Sequence, residues 1–144
     1  MLQTETKPLI MQLSEIAFNS KMYTESTIND WVYYFQFLYP KGMVEVKCLD
    51  GIENKIIGFL AGFRSNKYRS HVRNEVPPLP VDPTAGKFLY VVCAWVQPSL
   101  RGTGVMRSMF KNAMKKHKGV QFLVWENQKR RERRFIGKWA EAKE

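Results

Sequence analysis

Apolar side chains recur at helical spacing in two segments near the start of the chain. In the first, apolar residues from Leu9 to Ala17 fall on one face, behind a proline at position 8 that suits a first helical turn. In the second, an apolar stripe runs from Ile28 to Tyr39, and Thr27 and Asp30 fit a capping box. A proline and a glycine then follow at positions 40 and 42. The pattern therefore predicts two helices, within residues 7–20 and 26–42.

The hydrophobic pattern changes to that of strands after this point. The stretches "MVEVKCL" and "KIIGFLAGFR" predict two strands joined by the turn-like "DGIEN", which together form an antiparallel hairpin. Residues 74–86 contain four of the seven prolines and predict a stiff, irregular loop. Residues 87–96 are apolar almost throughout, which is typical of a central strand.

Two further helices and one strand are predicted in the last third of the chain. Apolar positions from Val105 to His117 give the most regular helical pattern, which Gly119 ends. "VQFLVW" predicts a short strand, and "NQKRRERRFIGKWAEAKE" a final helix with Phe135 and Ile136 on its apolar face. Because a crossover helix joins parallel strands, we expect strands 87–96 and 120–125 to lie side by side and parallel, and to splay apart toward Val96 and Asn127.

Length and composition narrow the class of protein. The 144 residues suit one domain, predicted to span positions 1–144. No apolar run is long enough for a membrane span, and the N-terminus lacks the pattern of a signal peptide, so we expect a cytoplasmic protein without membrane contact. Cys48 and Cys93 lie in apolar strands, which favours reduced core residues. With two histidines, the chain offers no Ser-His-Asp set and no metal site.

Charge is distributed very unevenly along this basic protein, whose formal net charge is +10. Residues 1–100 hold 10 Lys and Arg against 9 Asp and Glu, whereas residues 101–144 hold 13 against 4. The C-terminal part is therefore suited to meet anions.

The stretch "VQPSLRGTGV", residues 96–105, joins the central strand to the most regular helix. A strand that turns directly into a helix exposes backbone N–H groups that have no internal acceptor, and these groups favour an anion. Gly102 and Gly104 leave the backbone bare, and Arg101 adds a positive charge. Neither G-x-G-x-x-G nor a Walker loop fits, because position 107 is Arg and Gly104 is followed by Val105. The stretch predicts a cradle for a pyrophosphate group.

The run "VQPSLRGTGVMRSMF" after "FLYVVCAWV" resembles the acetyl-CoA-binding signature of the GCN5-related N-acetyltransferase (GNAT) family. The resemblance covers roughly residues 43–140 and is strongest at 88–127. It implies an α/β (α+β) fold with a GNAT-like mixed sheet, two N-terminal helices, a central strand–R-G-x-G–helix unit and a C-terminal helix. The first and last strands of the family are missing from the predicted elements.

The resemblance also assigns a cofactor, acetyl-CoA, and residues that would hold it. The backbone amides of Arg101, Gly102, Thr103, Gly104, Val105 and Met106 would bind the pyrophosphate. The edge of Ala94, Trp95 and Val96 would pair with the pantetheine arm, which Asn127 would steady. The chain departs from the family at Ser99, where Gln or Arg is usual, and at Met106, where glycine is common. It also has Arg134 near the place of the tyrosine that often serves as general acid.

Acetyl transfer to an amine requires a base for the amine, a donor that polarises the thioester carbonyl and a proton for the departing thiolate. A backbone N–H near Trp95 or Val96 could polarise the carbonyl. Glu126 is our candidate base, with Glu75 or His71 as alternatives from the long loop. Tyr90 or Cys93 could supply the proton, directly or through water. Each of these side chains also has a structural interpretation, as a solvated surface residue or as part of the core.

The run "QKRRERR" belongs to a segment with six Lys and Arg within residues 129–138. One interpretation is a solvated helix face. The other is a surface for nucleic acid or an acidic protein, formed by Arg130, Arg131, Arg133 and Arg134.

Two functions therefore remain open on the sequence. The first is an enzyme, an acetyl-CoA-dependent N-acetyltransferase acting on a primary amine of a small molecule or macromolecule. The second is a catalytically silent GNAT-like protein that binds nucleic acid or an acidic partner through its basic C-terminal helix. The R-G-T-G turn favours the first, and the missing tyrosine favours the second.

Overall fold

A computed structural model describes residues 8–23, 25–49, 55–66, 80, 82–126 and 134–138. Its elements, in chain order, are α1 (Leu9–Asn19), α2 (Ile28–Leu38), β1 (Val44–Cys48), β2 (Ile56–Ser65), β3 (Phe88–Val96), α3 (Val105–Lys116), β4 (Phe122–Glu126) and β5 (Arg134–Lys138). The mixed α/β class implied by the resemblance is thereby confirmed.

The two N-terminal helices begin and end where the sequence signals predict. Helix α2 has the predicted capping box, in which the amide of Asp30 donates to the Thr27 hydroxyl at 3.2 Å and the amide of Thr27 donates to the Asp30 carboxylate at 2.8 Å. After a short 3₁₀ turn over Tyr39–Lys41, Gly42 adopts a left-handed conformation with φ of 76° and ends the helical segment.

A single sheet has the strand order β1-β2-β3-β4-β5. The predicted hairpin is confirmed, since β1 and β2 are antiparallel and the amide of Leu49 donates to the carbonyl of Lys55 at 2.9 Å. Strands β2 and β3 are also antiparallel, whereas β3 and β4 are parallel, as the crossover through α3 predicts. Strand β3 is therefore the central strand.

The helices cover opposite faces of this sheet, as two adjacent residues of β2 show. A side chain on Gly58 would meet Met109 and Val105 of α3 at 3.1 Å, whereas the next residue, Phe59, packs its ring against Phe35 of α2. Because successive residues of a strand point to opposite faces, α3 lies on one side and the α1–α2 layer on the other. Gly58 lets α3 approach the strand closely.

The core on the α2 side is rich in aromatic rings. Trp31 contacts the rings of Tyr23, Tyr34 and Phe35 at centroid distances between 5.5 and 5.9 Å. Trp31, Tyr34 and Phe35 are almost fully buried. Large rings of this kind contribute much of the apolar burial that stabilises a small domain.

An irregularity interrupts the pairing of β3 with β2. Ala61 lies opposite Cys93, but the next residue, Gly62, lies opposite Val91, so Val92 is an extra residue on β3. Such a bulge bends the strand and changes which side chains face each layer. The hydroxyl of Tyr23 donates to the carbonyl of Val92 at 3.3 Å, which ties the bulge to the helical layer.

The predicted C-terminal helix is wrong over Arg134–Lys138, which form strand β5, antiparallel to β4. The rest of its range, 127–133 and 139–144, lies outside the described residues. The backbone pairing with β4 outweighs the weak helical pattern of this segment, in which Gly137 disfavours a helix and Phe135 and Ile136 suit a strand equally well. The expectation that no strand follows β4 is therefore also wrong. In the described part of the chain, no strand precedes α1.

The long proline-rich loop lies mostly outside the described residues. Its last part is anchored, because Pro83 is fully buried and its carbonyl accepts a hydrogen bond from the amide of Arg64 at 2.7 Å.

None of the helices described in the structure is both long enough and apolar enough to cross a membrane.

Candidate functional site

The glycine-containing turn between β3 and α3 has a conformation that glycine favours. A short 3₁₀ turn, Pro98–Leu100, follows β3, and Gly102 and Gly104 then adopt φ values of 85° and 97°. Other residues rarely adopt this left-handed region. A side chain at either glycine would meet nothing within 4 Å, so both glycines leave open space above the backbone.

Helix α3 begins directly after this turn and has no side-chain cap. The first bond into the helix runs from the amide of Ser108 to the carbonyl of Gly104 at 2.9 Å. Within the described residues, the amides of Gly104, Val105, Met106 and Arg107 have no acceptor. The free N–H groups and the helix dipole together favour an anion at this end of α3.

Arg101 is exposed, and one hydrogen bond holds its side chain beside the turn. Its Nε donates to the carbonyl of Val96, the last residue of β3, at 2.9 Å. This bond leaves the other guanidinium nitrogens free to donate to a ligand and keeps the positive charge at the end of the strand. The Thr103 hydroxyl also donates to the backbone, at the carbonyl of Leu100, which tightens the turn.

The C-terminal half of β3 has one edge without a partner in the described structure. The parallel ladder with β4 ends at Val91 and Trp125, whereas β3 continues to Val96. The amide of Gln97 donates toward β2, to the carbonyl of Ile57 at 2.9 Å. Because the N–H groups of a strand alternate in direction, those of Val96 and Ala94 point away from β2. These amides are available to an extended ligand.

The open edge and the turn meet in one cleft of about 680 Å³. Its lining consists of Ala94, Trp95, Val96, Leu100, Arg101, Gly102, Thr103, Gly104, Val105, Met106 and Arg107. This size lies within the range of small-molecule sites. All of the cofactor-binding residues predicted from the sequence line it, except Asn127, which lies outside the described residues.

Tyr90 and Cys93 lie away from this cleft. Both are buried in the core, with 3% and 5% of their surface exposed, and Tyr90 stacks on Phe63 at a centroid distance of 5.1 Å. Burial raises the pKa of the Cys93 thiol far above its usual range. Burial, together with the neighbouring Cys93, likewise raises the pKa of Tyr34. Neither Cys93 nor Tyr34 therefore ionises near neutral pH.

The remaining predicted residues are only partly described. The backbone of Glu126 ends β4, but its side chain is outside what the structure describes. His71, Glu75, Arg130, Arg131 and Arg133 are outside the described residues, and Arg134 is described by its backbone in β5 alone. Their predicted roles stay predictions.

Sequence reasoning did not single out Leu100 and Arg107, which also line the cleft. A signal was present for Arg107, because a cation in the first turn of a helix interacts unfavourably with the helix dipole and therefore calls for another explanation.

In the described ranges, no group of three or more His, Cys, Asp or Glu residues could hold a metal ion.

Comparison with known proteins finds similarity in structure alone, since no protein-family model and no curated protein sequence matches the chain. It is similar to diaminobutyrate acetyltransferase EctA from Paenibacillus lautus, solved with L-2,4-diaminobutyric acid and coenzyme A, with 19% identity and a TM-score of 0.53. The match covers 81% of this chain and 58% of that one.

Two further structures have comparable similarity. The loading GNATL domain of CurA from Lyngbya majuscula matches at 16% identity with a TM-score of 0.52, over 83% of this chain and 62% of that chain. A predicted acetyltransferase from Clostridium acetobutylicum, solved with acetyl-CoA, matches at 14% identity with a TM-score of 0.51, over 86% and 76%. The chain thus spans less than two thirds of the length of the first two. These matches show that the described part has the GNAT-like fold that the sequence resemblance implied.

Proposed function

We propose that the chain binds acetyl-CoA in the cleft between β3 and α3 and transfers its acetyl group to a primary amine. The observation that carries this proposal is a coincidence of three features in one cavity. The bare R-G-T-G turn, the free amides of α3 and the unpaired edge of β3 all line the same cleft. The pyrophosphate of acetyl-CoA needs N–H donors and a turn without side chains, and its extended, amide-bearing pantetheine arm needs an open strand edge.

The residues of the cleft have distinct tasks in this proposal. The amides of Gly104, Val105 and Met106, together with the Arg101 guanidinium, would bind the pyrophosphate. The amides of Arg101 and Thr103, predicted from the sequence to do the same, already donate to the carbonyls of Pro98 and Leu100 within the turn. The outward N–H of Ala94 would pair with the pantetheine arm, and that of Val96 would polarise the thioester carbonyl. The N–H of Trp95, the alternative predicted from the sequence, points toward β2. Bound acetyl-CoA would supply an acetyl group held as a thioester.

Transfer forms a bond from the amine nitrogen to the acetyl carbon and breaks the bond from that carbon to sulfur. The amine nitrogen loses a proton, and the departing sulfur gains one. Glu126 remains our proposed base. Tyr90 or Cys93 would have to deliver a proton through water, since both are buried away from the cleft. Positioning of the two reactants therefore carries most of the proposed rate enhancement.

One observation favours a second candidate function, a GNAT-like protein that binds acetyl-CoA or a partner without catalysis. The charged side chains that line the described cleft are Arg101 and Arg107, and its described lining contains no Asp, Glu, His, Cys or Tyr. The proposed acceptor amine, whether on a small molecule or a macromolecule, would then find no general base among the described lining residues.

Release of free thiol from acetyl-CoA distinguishes these two functions. We would measure it with a lysine-containing peptide and with a small diamine as acceptors, and compare wild type with Glu126→Gln. Turnover in wild type that falls by about 100-fold in the variant supports the enzyme and its base. Acetyl-CoA binding without thiol release for either acceptor supports the non-catalytic function.

A further inference from the structure

The exposed face of α3 carries a row of cations that the acetyl-CoA cleft does not account for. Arg107, Lys111 and Lys115, here called the basic stripe, are all exposed and spaced four residues apart. At about 100° and 1.5 Å per residue, they lie within one narrow strip about 12 Å long. Lys118, also exposed, follows just beyond the end of the helix. One end of the stripe, Arg107, reaches the cleft.

Acidic side chains are absent from a long part of the chain around the stripe. Between Asp82 and Glu126 the sequence has seven Lys and Arg residues and no Asp or Glu. Lys116 pairs with Glu45 of β1 at 2.8 Å, but no described residue forms such an ion pair with a cation of the stripe. The positive field of this face is therefore not neutralised by its described surroundings.

Helix stability does not explain the stripe. Cations favour the last turn of a helix, which could account for Lys115. Arg107, however, lies in the first turn, where a positive charge opposes the helix dipole, and Lys111 lies in the middle. Three like charges spaced four residues apart also repel each other. An external anion would relieve this repulsion.

The chemistry of the face favours nucleic acid over an acidic protein. The other exposed residues of α3 are Asn112 and Lys116, and the residues beside the stripe, Ser108 and Phe110, are half-buried. The large exposed apolar residues of the described structure, Met11, Phe18, Tyr33, Tyr39 and Leu49, all lie elsewhere. Protein interfaces usually depend on exposed apolar or aromatic anchors, whereas a phosphate backbone is bound by cations and polar groups and needs no such anchor.

We infer that the basic stripe, continued by Lys118, binds the phosphate backbone of a nucleic acid without sequence selectivity. The site is distinct from the cleft, because Lys111, Lys115 and Lys118 do not line it. A nucleic acid held there would lie beside the cleft, which Arg107 joins to the stripe.

The test uses fluorescence anisotropy of a labelled, mixed-sequence single-stranded RNA of about 20 nucleotides, titrated without acetyl-CoA over a range of salt concentrations. The stripe variant combines Lys111→Gln, Lys115→Gln and Lys118→Gln. A matched control combines Lys21→Gln, Lys41→Gln and Lys55→Gln, which removes the same charge from exposed residues outside α3. Acetyl-CoA affinity is measured on all three proteins.

We expect wild type to bind the RNA with an affinity that falls with salt. In the stripe variant, the slope of log K against log salt should become shallower by about 2, from a contribution of about 0.7 per phosphate contact, while the control keeps the wild-type slope. An equal loss in both variants would overturn the inference, because net charge alone would explain it. It would also be overturned if wild type bound polyglutamate but not RNA, or if the stripe variant lost acetyl-CoA affinity as steeply as RNA affinity.

Discussion

Two regions of the molecule require glycine for opposite reasons. At Gly62, beside the bulge of β3, a Cβ atom would overlap the carbonyl oxygen of Tyr90. At Gly102 and Gly104, a Cβ atom would meet nothing within 4 Å, and the backbone is left-handed instead. The first region needs glycine so that two strands can approach each other. The second needs it to expose amides to a ligand, so its glycines belong to the proposed function rather than to the core.

The substitution Gly62→Ala should have the largest effect on stability. The added methyl group has no room, since the obstacle is backbone of the central strand rather than a movable side chain. We expect the free energy of unfolding to fall by about 3 kcal/mol or more, measured by urea denaturation. A stable variant with wild-type midpoint would contradict the observed pairing of β2 with β3.

The same substitution in the turn, Gly104→Ala, should lower the free energy of unfolding by less. The methyl group meets open space, so the expected loss is only the strain of a left-handed alanine, about 1–2 kcal/mol. Urea denaturation under identical conditions provides the comparison. A loss as large as that of Gly62→Ala would show that the turn is packed rather than open.

The smallest expected effect is the pH dependence of stability that His117, a neighbour of Gly62, contributes. His117 lines the same small cavity of about 20 Å³, and burial, followed by the charges of Lys116 and Arg64, lowers its pKa to about 4 against the opposing effect of Glu45. The unfolded chain therefore binds a proton first as the pH falls from about 6.5 to 4, and stability is lost over that range.

Because His117 is partly exposed, we expect this loss to be at most about 1 kcal/mol after screening by solvent. The measurement is the melting temperature of wild type and His117→Gln between pH 7 and 5. The variant should lack the part of the slope that His117 contributes. If the melting temperatures of the two proteins changed with pH in parallel, His117 would not contribute to the pH dependence of stability.

Local signals made much of the fold predictable. The capping box of α2 and the glycine that ends its helical segment are contained in a few adjacent residues, and both are observed. The parallel pairing of β3 and β4 followed from a general rule about crossover connections. The stretch around Gly102 and Gly104 was informative because two glycines, a positive charge and the start of a helix fall within a few adjacent residues.

Features set by distant contacts were missed. Phe135 and Ile136 fit a helix or a strand, and the pairing of their segment with β4 decided between the two. The bulge at Val92 leaves no local pattern, although a glycine inside an apolar strand, such as Gly62, is a sign of close backbone approach. The basic stripe was visible as cations spaced four residues apart, but its exposure required the packing of α3 on the sheet.

Calorimetric titration with acetyl-CoA tests the central claim most directly. We predict that wild type binds acetyl-CoA and that Gly104→Glu reduces the affinity by about 100-fold or more, equivalent to about 2.7 kcal/mol, because a carboxylate in the turn blocks the amides and repels phosphate. Circular dichroism should show that the variant remains folded, and Gly104→Ala provides the uncharged control. Equal affinity in wild type and folded Gly104→Glu would contradict the assignment of the cleft.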